Sequence, residues 1–379
     1  MMDYEALRFI WWVLIGVLLI GFVVTDGFDM GVASLLKVIG RDNEERRIMI
    51  NTVAPHWDGN QVWLITAAGA LFAAWPTVYA AAFSGFYLAM MLTLFALFLR
   101  PIAFEYRSKI DNQPWRDRWD WALTVGSTVP PLIIGVAFGN LLQGVPFHFD
   151  ELLRIHYTGN FWGLLNPFAL LVGVFTVIMF VNHGATWLQM KTEGALLRRA
   201  ENVSTLLGLI AAVLFVLAGI WLWLAVDGFH VTGGLDTQAD STIIGKQVEQ
   251  ISHGWFLNYQ RWPLAWLLPL ATIAGFAGSA LLSKLRRHAL AFVSSALAIA
   301  GTIVTFGLSM FPFIMPSSIS PNHSLTLWDG TASELTLLIM LVVVLIFVPL
   351  ILGYTAWGYY VMRGRVSAQH IRDNSHSLY

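Results

Sequence analysis

Residues 7–36 read LRFIWWVLIGVLLIGFVVTDGFDMGVASLL. A helix needs about 20 apolar residues to cross the hydrocarbon core of a bilayer, so this run is long enough. Two carboxylates, Asp26 and Asp29, sit inside it. His56 and Asp58 interrupt the next apolar run in the same way. A charged group near the bilayer centre costs at least about 3 kcal/mol. A chain that keeps such groups pairs them or uses them, and the usual uses are moving protons, ions or electrons.

The composition agrees with a membrane protein. The 379 residues are 57% hydrophobic and 12% charged, with 17 Trp, against about 25% charge in a soluble domain. A net charge of -1 gives no basic field for nucleic acid. There are no cysteines, which removes disulfides, iron–sulfur clusters, thiolate-bound metal and cysteine catalysis. Cysteine usage therefore says nothing about redox compartment. No metal site is expected in the chain. The start, Met1 to Glu5, is acidic and leads into an apolar run too long for a signal-peptide core, so a retained first span is expected.

Nine apolar runs are expected to be transmembrane helices, over about 7–36, 50–73, 77–99, 119–144, 160–189, 203–226, 262–283, 289–312 and 335–362. The fold class is all-α, a single polytopic domain over 1–379. Ala74-Trp75-Pro76 is short enough to join the second and third spans as an antiparallel hairpin. Of the 22 Lys and Arg residues, Arg8, Arg154, Lys246 and Arg261 fall on one side and the rest on the other. By the positive-inside rule the N-terminus is outside and the C-terminus cytoplasmic. The outer loops at about 227–261 and 313–334 do not read as folded domains. Trp11, Trp12, Trp75, Trp121, Trp255, Trp262 and Trp266 lie near span ends, where interfacial aromatic belts belong.

The chemistry concentrates on the first two spans. Asp29 lies seven residues before Leu36, roughly 10 Å along the helix. Asp58 lies eight residues after Ile50, roughly 12 Å in from the same side, which predicts a shared depth. Asp26 is one turn deeper than Asp29, and His56, Asn60 and Gln61 extend a polar track from the cytoplasm. Arg100 at the inner end of the third span can instead neutralise these carboxylates. Gly27, Gly31 and Gly59 read as sites of close helix packing. Asp120 reads as a cap on the fourth span or as a proton entry. Trp57 and Trp63 flank the polar stretch and could face a partner or a quinone, although packing is the simpler reading. His56 and His183 are the histidines well inside spans, and they do not form a haem-stacking pair, so no haem is expected in this chain. No residue reads as directly catalytic.

These segments carry a family pattern. TDGFDMG at 25–31, ERR at 45–47, HWDGNQVW at 56–63, ALFAAWP at 70–76 and YAAAFSGFY at 79–87 closely resemble subunit II of the bacterial cytochrome bd-type ubiquinol oxidases. RP at 100–101, GNLLQGVPF at 139–147, MFPFIMPSS at 310–318 and SLTLWD at 324–329 continue the likeness over nearly the whole chain. The resemblance implies a heterodimer with a larger subunit I that holds two b-type haems, one d-type haem and the quinol-oxidising loop. It implies electron transfer from ubiquinol to dioxygen, giving water and a proton-motive force without pumping, in the bacterial inner membrane. It further implies that such a subunit can hold a structural ubiquinone; lipid is an expected partner, and small accessory subunits are not legible in the sequence. Asp29, Asp58, Arg100 and Asp120 are the polar positions it ranks first for the proton route, with Asp26 and His56 beside them.

Two other readings stay open on the residues alone. A proton- or cation-coupled transporter acting alone would use the same carboxylates, but should show paired broken helices at mid-membrane, and no convincing pair is legible. A purely structural partner of a haem subunit would carry no protons.

Overall fold

The opening apolar run forms one unbroken helix, α1 (Tyr4–Ile39), because it holds no proline and its four glycines are spaced singly among apolar residues that bury one side of it. The computed structural model describes residues 3–373 and Tyr379; Met1 and Met2 of the acidic start lie outside these. Asp3 is the residue before the first turn of α1. At 36 residues α1 is about 54 Å long, well beyond a hydrocarbon core of about 30 Å.

The second expected span does not form one helix. It is divided into α2 (Asn43–Val53) and α3 (Trp57–Ala74), with a turn at residues 54–56. Pro55 accounts for the break: Ala54 before it is still helical, but Pro55 has no N–H with which to continue the ladder. The third expected span is likewise interrupted at Phe86, giving α4 (Pro76–Gly85) and α5 (Tyr87–Tyr106). Trp75 joins α3 to α4 as tightly as expected, but α3 packs on α1 while α5 packs on α6 (Gln113–Gln143). The two spans are therefore not partners in a hairpin.

The rest of the bundle is α7 (Pro167–Lys191), α8 (Gly194–Ala225), the short α9 (Leu257–Arg261), α10 (Leu267–Lys284), α11 (His288–Met310), α12 (Glu334–Val361) and α13 (Ala368–Asp373). Among the described residues eight helices are long and apolar enough to cross a membrane. Helix α3 is not one of them, since Asp58, Asn60 and Gln61 dilute its first turns.

Helix α7 is the centre: 61% of its most apolar stretch is buried, against 11% for α12. It meets α1 backbone to backbone. A Cβ on Gly31 would lie 2.0 Å from the Phe180 carbonyl, and one on Gly184 would lie 2.4 Å from the backbone of Gly31. Gly31 is thus a packing glycine, as expected, whereas Gly27 makes only ordinary contacts and Gly59 faces open space. Helix α12 lies at the edge, against α1 and α3.

Three two-stranded antiparallel sheets cover the end of the bundle away from the basic loops. They pair β1 (Phe147–Phe149) with β2 (Ile155–Tyr157), β3 (Gly228–Gly233) with β4 (Gln247–Ile251), and β5 (Phe313–Met315) with β6 (Leu325–Thr326). The two long loops are therefore more ordered than their composition indicates. Indoles expected in an interfacial belt hold this end together instead. Buried Trp11, Trp75 and Trp255 donate to the carbonyls of Leu337, Leu327 and Leu142 at 3.0, 3.0 and 2.8 Å. Arg8, fully buried, donates to Thr331 Oγ1 and to the carbonyls of Thr237 and Ala239, tying α1 to both loops. Trp121, Trp262 and Trp266 remain exposed, as belt residues should.

Candidate functional site

The uninterrupted helix α1 presents Asp26 and Asp29 one turn apart toward α5 and α3, and both are fully buried. Arg100, also fully buried, reaches Asp26 with two prongs: NH2 to Oδ1 at 2.5 Å and NH1 to Oδ2 at 3.0 Å. Its helix packs closely on α6, where Gly126 leaves room for it, a Cβ there falling 2.7 Å from the Ala96 carbonyl. In hydrocarbon an isolated charge is expensive, so this fork-to-carboxylate geometry is what makes the two groups tolerable together.

Asp29 is satisfied on one side only. Its Oδ2 accepts from Asn60 Nδ2 at 2.7 Å, and Asn60 Oδ1 accepts from the Tyr359 hydroxyl at 2.7 Å. Among the described residues Asp29 Oδ1 and Arg100 Nε have no hydrogen-bond partner, although both are buried. A buried polar atom left over in this way is the exception in folded proteins and marks a place where the chain does more than pack.

Asp29 and Asp58 do not come together: α3 begins only at Trp57, and its first turn aims Asn60 at Asp29. Asp58 lies two residues earlier, on the opposite face of the first turn, and is exposed. His56 is buried just before α3, its ring stacked on Tyr359 at 4.3 Å. It touches the cluster through that ring and does not extend a hydrogen-bonded track.

Asp120 belongs to a second layer. Helix α6 starts at Gln113, with Asn112 as its cap accepting from Trp115 N, so Asp120 is two turns in and caps nothing. It is fully buried between two guanidinium groups: Arg107 Nε at 2.5 Å and Arg46 NH1 at 2.9 Å. Arg107 follows Arg100 by seven residues, so the two ion-pair layers are stacked roughly 10 Å apart along α5. Arg46 and Lys37 both also reach Asp117, which places this layer among the basic loops.

The comparisons with known proteins decide the family. A family model described as cytochrome bd terminal oxidase subunit II matches residues 7–362. The chain belongs to the cytochrome bd terminal oxidase subunit II family. It is 57% identical over 379 residues, all of both chains, to a probable cytochrome oxidase subunit 2 of Haemophilus influenzae. Over the same full length it is 55% identical to the cytochrome bd-I ubiquinol oxidase subunit 2 of Escherichia coli. Its fold resembles a chain in the structure of bd oxidase from Geobacillus thermodenitrificans, with a TM-score of 0.67 and 15% identity, covering 94% of this chain and 99% of that one. Family and helices together make this subunit II a multi-pass protein of the bacterial inner membrane, and the family implies haem and a partner subunit I in the complex.

Within subunit II, then, the structure brings together Asp26, Asp29 and Arg100, sets Asp58 on an outer face, and places Asp120 in its own layer. Trp57 stacks on Phe104 at 5.1 Å, and Trp63 covers Gly21 of α1, so both rings pack against this chain's own helices. Two participants were not legible as such. Arg107 reads in sequence as one charge of a mixed loop, and Tyr359 is separated from Asn60 by 299 residues with nothing around it to signal a polar role.

Proposed function

We propose that this chain is the haem-free subunit II of a cytochrome bd-type ubiquinol oxidase and supplies part of the cytoplasmic proton route to a haem-bearing subunit I. As a family member it is one subunit of a quinol:oxygen oxidoreductase. The observation that carries the route is the buried cluster of Asp29, its unpartnered oxygen, and the neutralised Asp26–Arg100 pair one turn away. Asp29 has an oxygen with which to take up and hand on a proton, while the ion pair keeps the neighbouring charge in check.

Asp58 supports a place for the partner. An exposed carboxylate on a membrane-buried helix turn cannot face lipid cheaply. The face of α3 that carries Asp58 is therefore assigned to subunit I, and Asp58 to proton transfer across that contact. With α3 counted, the chain has nine spans, one domain, an outside N-terminus and a cytoplasmic C-terminus, in keeping with the charge distribution of its loops.

Haem would supply the oxygen-reducing chemistry from the partner subunit. The residues here do not suit it: His183 Nδ1 is bonded to Ser295 Oγ at 3.1 Å and Nε2 to the Val24 carbonyl at 3.0 Å, which occupies both nitrogens. His56 is stacked on Tyr359 and buried. A ubiquinone in this subunit would seat on apolar helix faces, since Trp57 and Trp63 are already packed. Small accessory subunits complete the proposed assembly.

The deciding experiment is Asp58→Asn in the assembled complex, read as haem content and as oxygen reduced per haem. The proposal expects normal haem and turnover lowered roughly a hundredfold, the lower range for loss of one proton-transfer group. Unchanged turnover would remove Asp58 from the route. If neutralising Asp26, Asp29 and Asp58 one at a time leaves turnover per haem normal, the chain is a scaffold that carries no protons.

A further inference from the structure

Away from the carboxylate cluster, a pocket of about 340 Å³ opens at the basic end, lined by Arg41, Glu45, Ala195, Arg198, Arg199 and Asn202. Three guanidinium groups face one carboxylate, so the pocket is net positive. Glu45 is fully occupied: Oε1 holds Arg199 NH2 and Oε2 accepts from Arg41 N. That grip fixes the plane of the Arg199 fork. Its NH1 is buried with no partner among the described residues. The Arg41 and Arg198 side chains form no ion pair among the described residues and are exposed. The acidic residues Asp42, Glu44 and Glu193 line an adjoining cleft that shares Glu45 and Ala195 with the pocket and lies on the other side of them.

Every lipid-facing helix exposes apolar residues, but here the ladder starts at the arginines. Asn202, Leu206, Leu209, Val213 and Leu217 recur at three- and four-residue intervals down α8, which puts them on one face, and all are exposed. We propose that this pocket and ladder form a binding site for an anionic phospholipid. The phosphate lies over Arg41, Arg198 and Arg199, and an acyl chain runs along Leu206, Leu209 and Val213. Guanidinium groups suit phosphate because they offer paired donors in a planar fork. Basic pockets at the inner face of a membrane protein attract such head groups. Free phosphate would share the head-group chemistry but gain nothing from the ladder.

The absence of cysteine from this chain provides the test. Leu206→Cys is labelled with a small fluorophore in the intact complex, with the unsubstituted complex as background. The complex is then reconstituted with phosphatidylglycerol or phosphatidylcholine brominated on the acyl chain. Phosphatidylglycerol is expected to quench at roughly tenfold lower mole fraction. That preference should disappear in Arg41→Gln/Arg198→Gln and persist in Lys284→Gln/Arg286→Gln, which removes equal charge outside the pocket. A label at Leu224→Cys, at the far end of α8, should show no preference. Equal quenching by both lipids, or a preference that survives the Arg41/Arg198 changes, overturns the proposal. So does shielding from both lipids, which would mean that a protein covers the face. If millimolar inorganic phosphate abolishes the preference, the pocket recognises phosphate alone and the lipid assignment falls. Haem content of each variant confirms assembly, and native mass spectrometry of retained lipid gives a second reading if reconstitution fails.

Discussion

Asp26 and Arg100 meet as a two-pronged ion pair between α1 and α5, at 2.5 and 3.0 Å, with both side chains fully buried. Breaking such a pair from one side is far worse than removing it from both, because the remaining charge has nowhere to go. Arg100→Gln strands two carboxylates one turn apart in a buried site. The loss is expected to be about 3–5 kcal/mol and to appear as membranes with little assembled, haem-containing oxidase. Asp26→Asn/Arg100→Gln should recover a substantial part of the haem signal. Equal loss in the single and double variants would show that Arg100 has a role beyond neutralising Asp26.

Tyr359 sets the orientation of the Asn60 amide. Its hydroxyl donates to Asn60 Oδ1, which leaves Nδ2 aimed at Asp29. Tyr359→Phe removes that direction and lets the amide turn over, so Asp29 loses its fixed donor part of the time. Oxygen reduction per haem is expected to fall several-fold with haem content preserved, one net hydrogen bond being worth about 1 kcal/mol. Tyr360→Phe, on an exposed ring of the same helix, should leave both quantities unchanged.

Much of this site was legible in the sequence because burial cost is a property of residue type. Asp26, Asp29 and Arg100 stand out in apolar runs whatever their neighbours are. The face that Asp58 takes was not legible, since the second span reads as one helix from Ile50 and Pro55 breaks that helix. The same break turned Asn60 rather than Asp58 toward Asp29. Trp11, Trp75 and Trp255 were misplaced for a related reason: a tryptophan near a span end looks the same whether its indole faces lipid or a loop carbonyl. The partners of Asp120 were hidden because they come from two different helices, Arg46 from α2 and Arg107 from the end of α5. The spans themselves were readable, apart from the divided second and third, because apolar length survives any local irregularity.

Two glycines of α1 offer a direct check of the packing. Gly31 touches α7 backbone and has no room for a methyl group, while a Cβ on Gly16 meets nothing within 4 Å. Gly31→Ala must push α1 from α7 and displace Asp29, two residues away; the expected result is loss of assembled complex, since overpacking costs about 1–3 kcal/mol or more. Gly16→Ala should be neutral or slightly stabilising, because alanine is the better helix former by about 1 kcal/mol. Equal thermal midpoints for the two variants would contradict the α1–α7 contact.

The sheet-bearing end should respond to acid through His323. The backbone N–H of Phe149 donates to His323 Nδ1 at 3.0 Å, so the ring is neutral there and carries its proton on Nε2. Asn322, next to it, accepts from Val248 N at 2.8 Å, so this turn ties β1 to β4. Burial, the charge of Lys246 and the nearby His148 hold His323 below its usual 6.5. Lys246 is itself paired with Asp329, while Asp150 holds Arg154 and His156 on the hairpin side. Protonation would put a hydrogen on Nδ1 facing the Phe149 N–H and break the tie. Because the unfolded ring takes up its proton first, this contribution to stability is complete above about pH 6.5 and is lost as the pH falls below it. The thermal midpoint of the complex should therefore drop between pH 7.5 and 5. His323→Gln, which can still accept but does not titrate, should flatten that slope, and His230→Gln, at an exposed position on β3, should not. A slope unchanged in His323→Gln would assign the acid sensitivity to other groups.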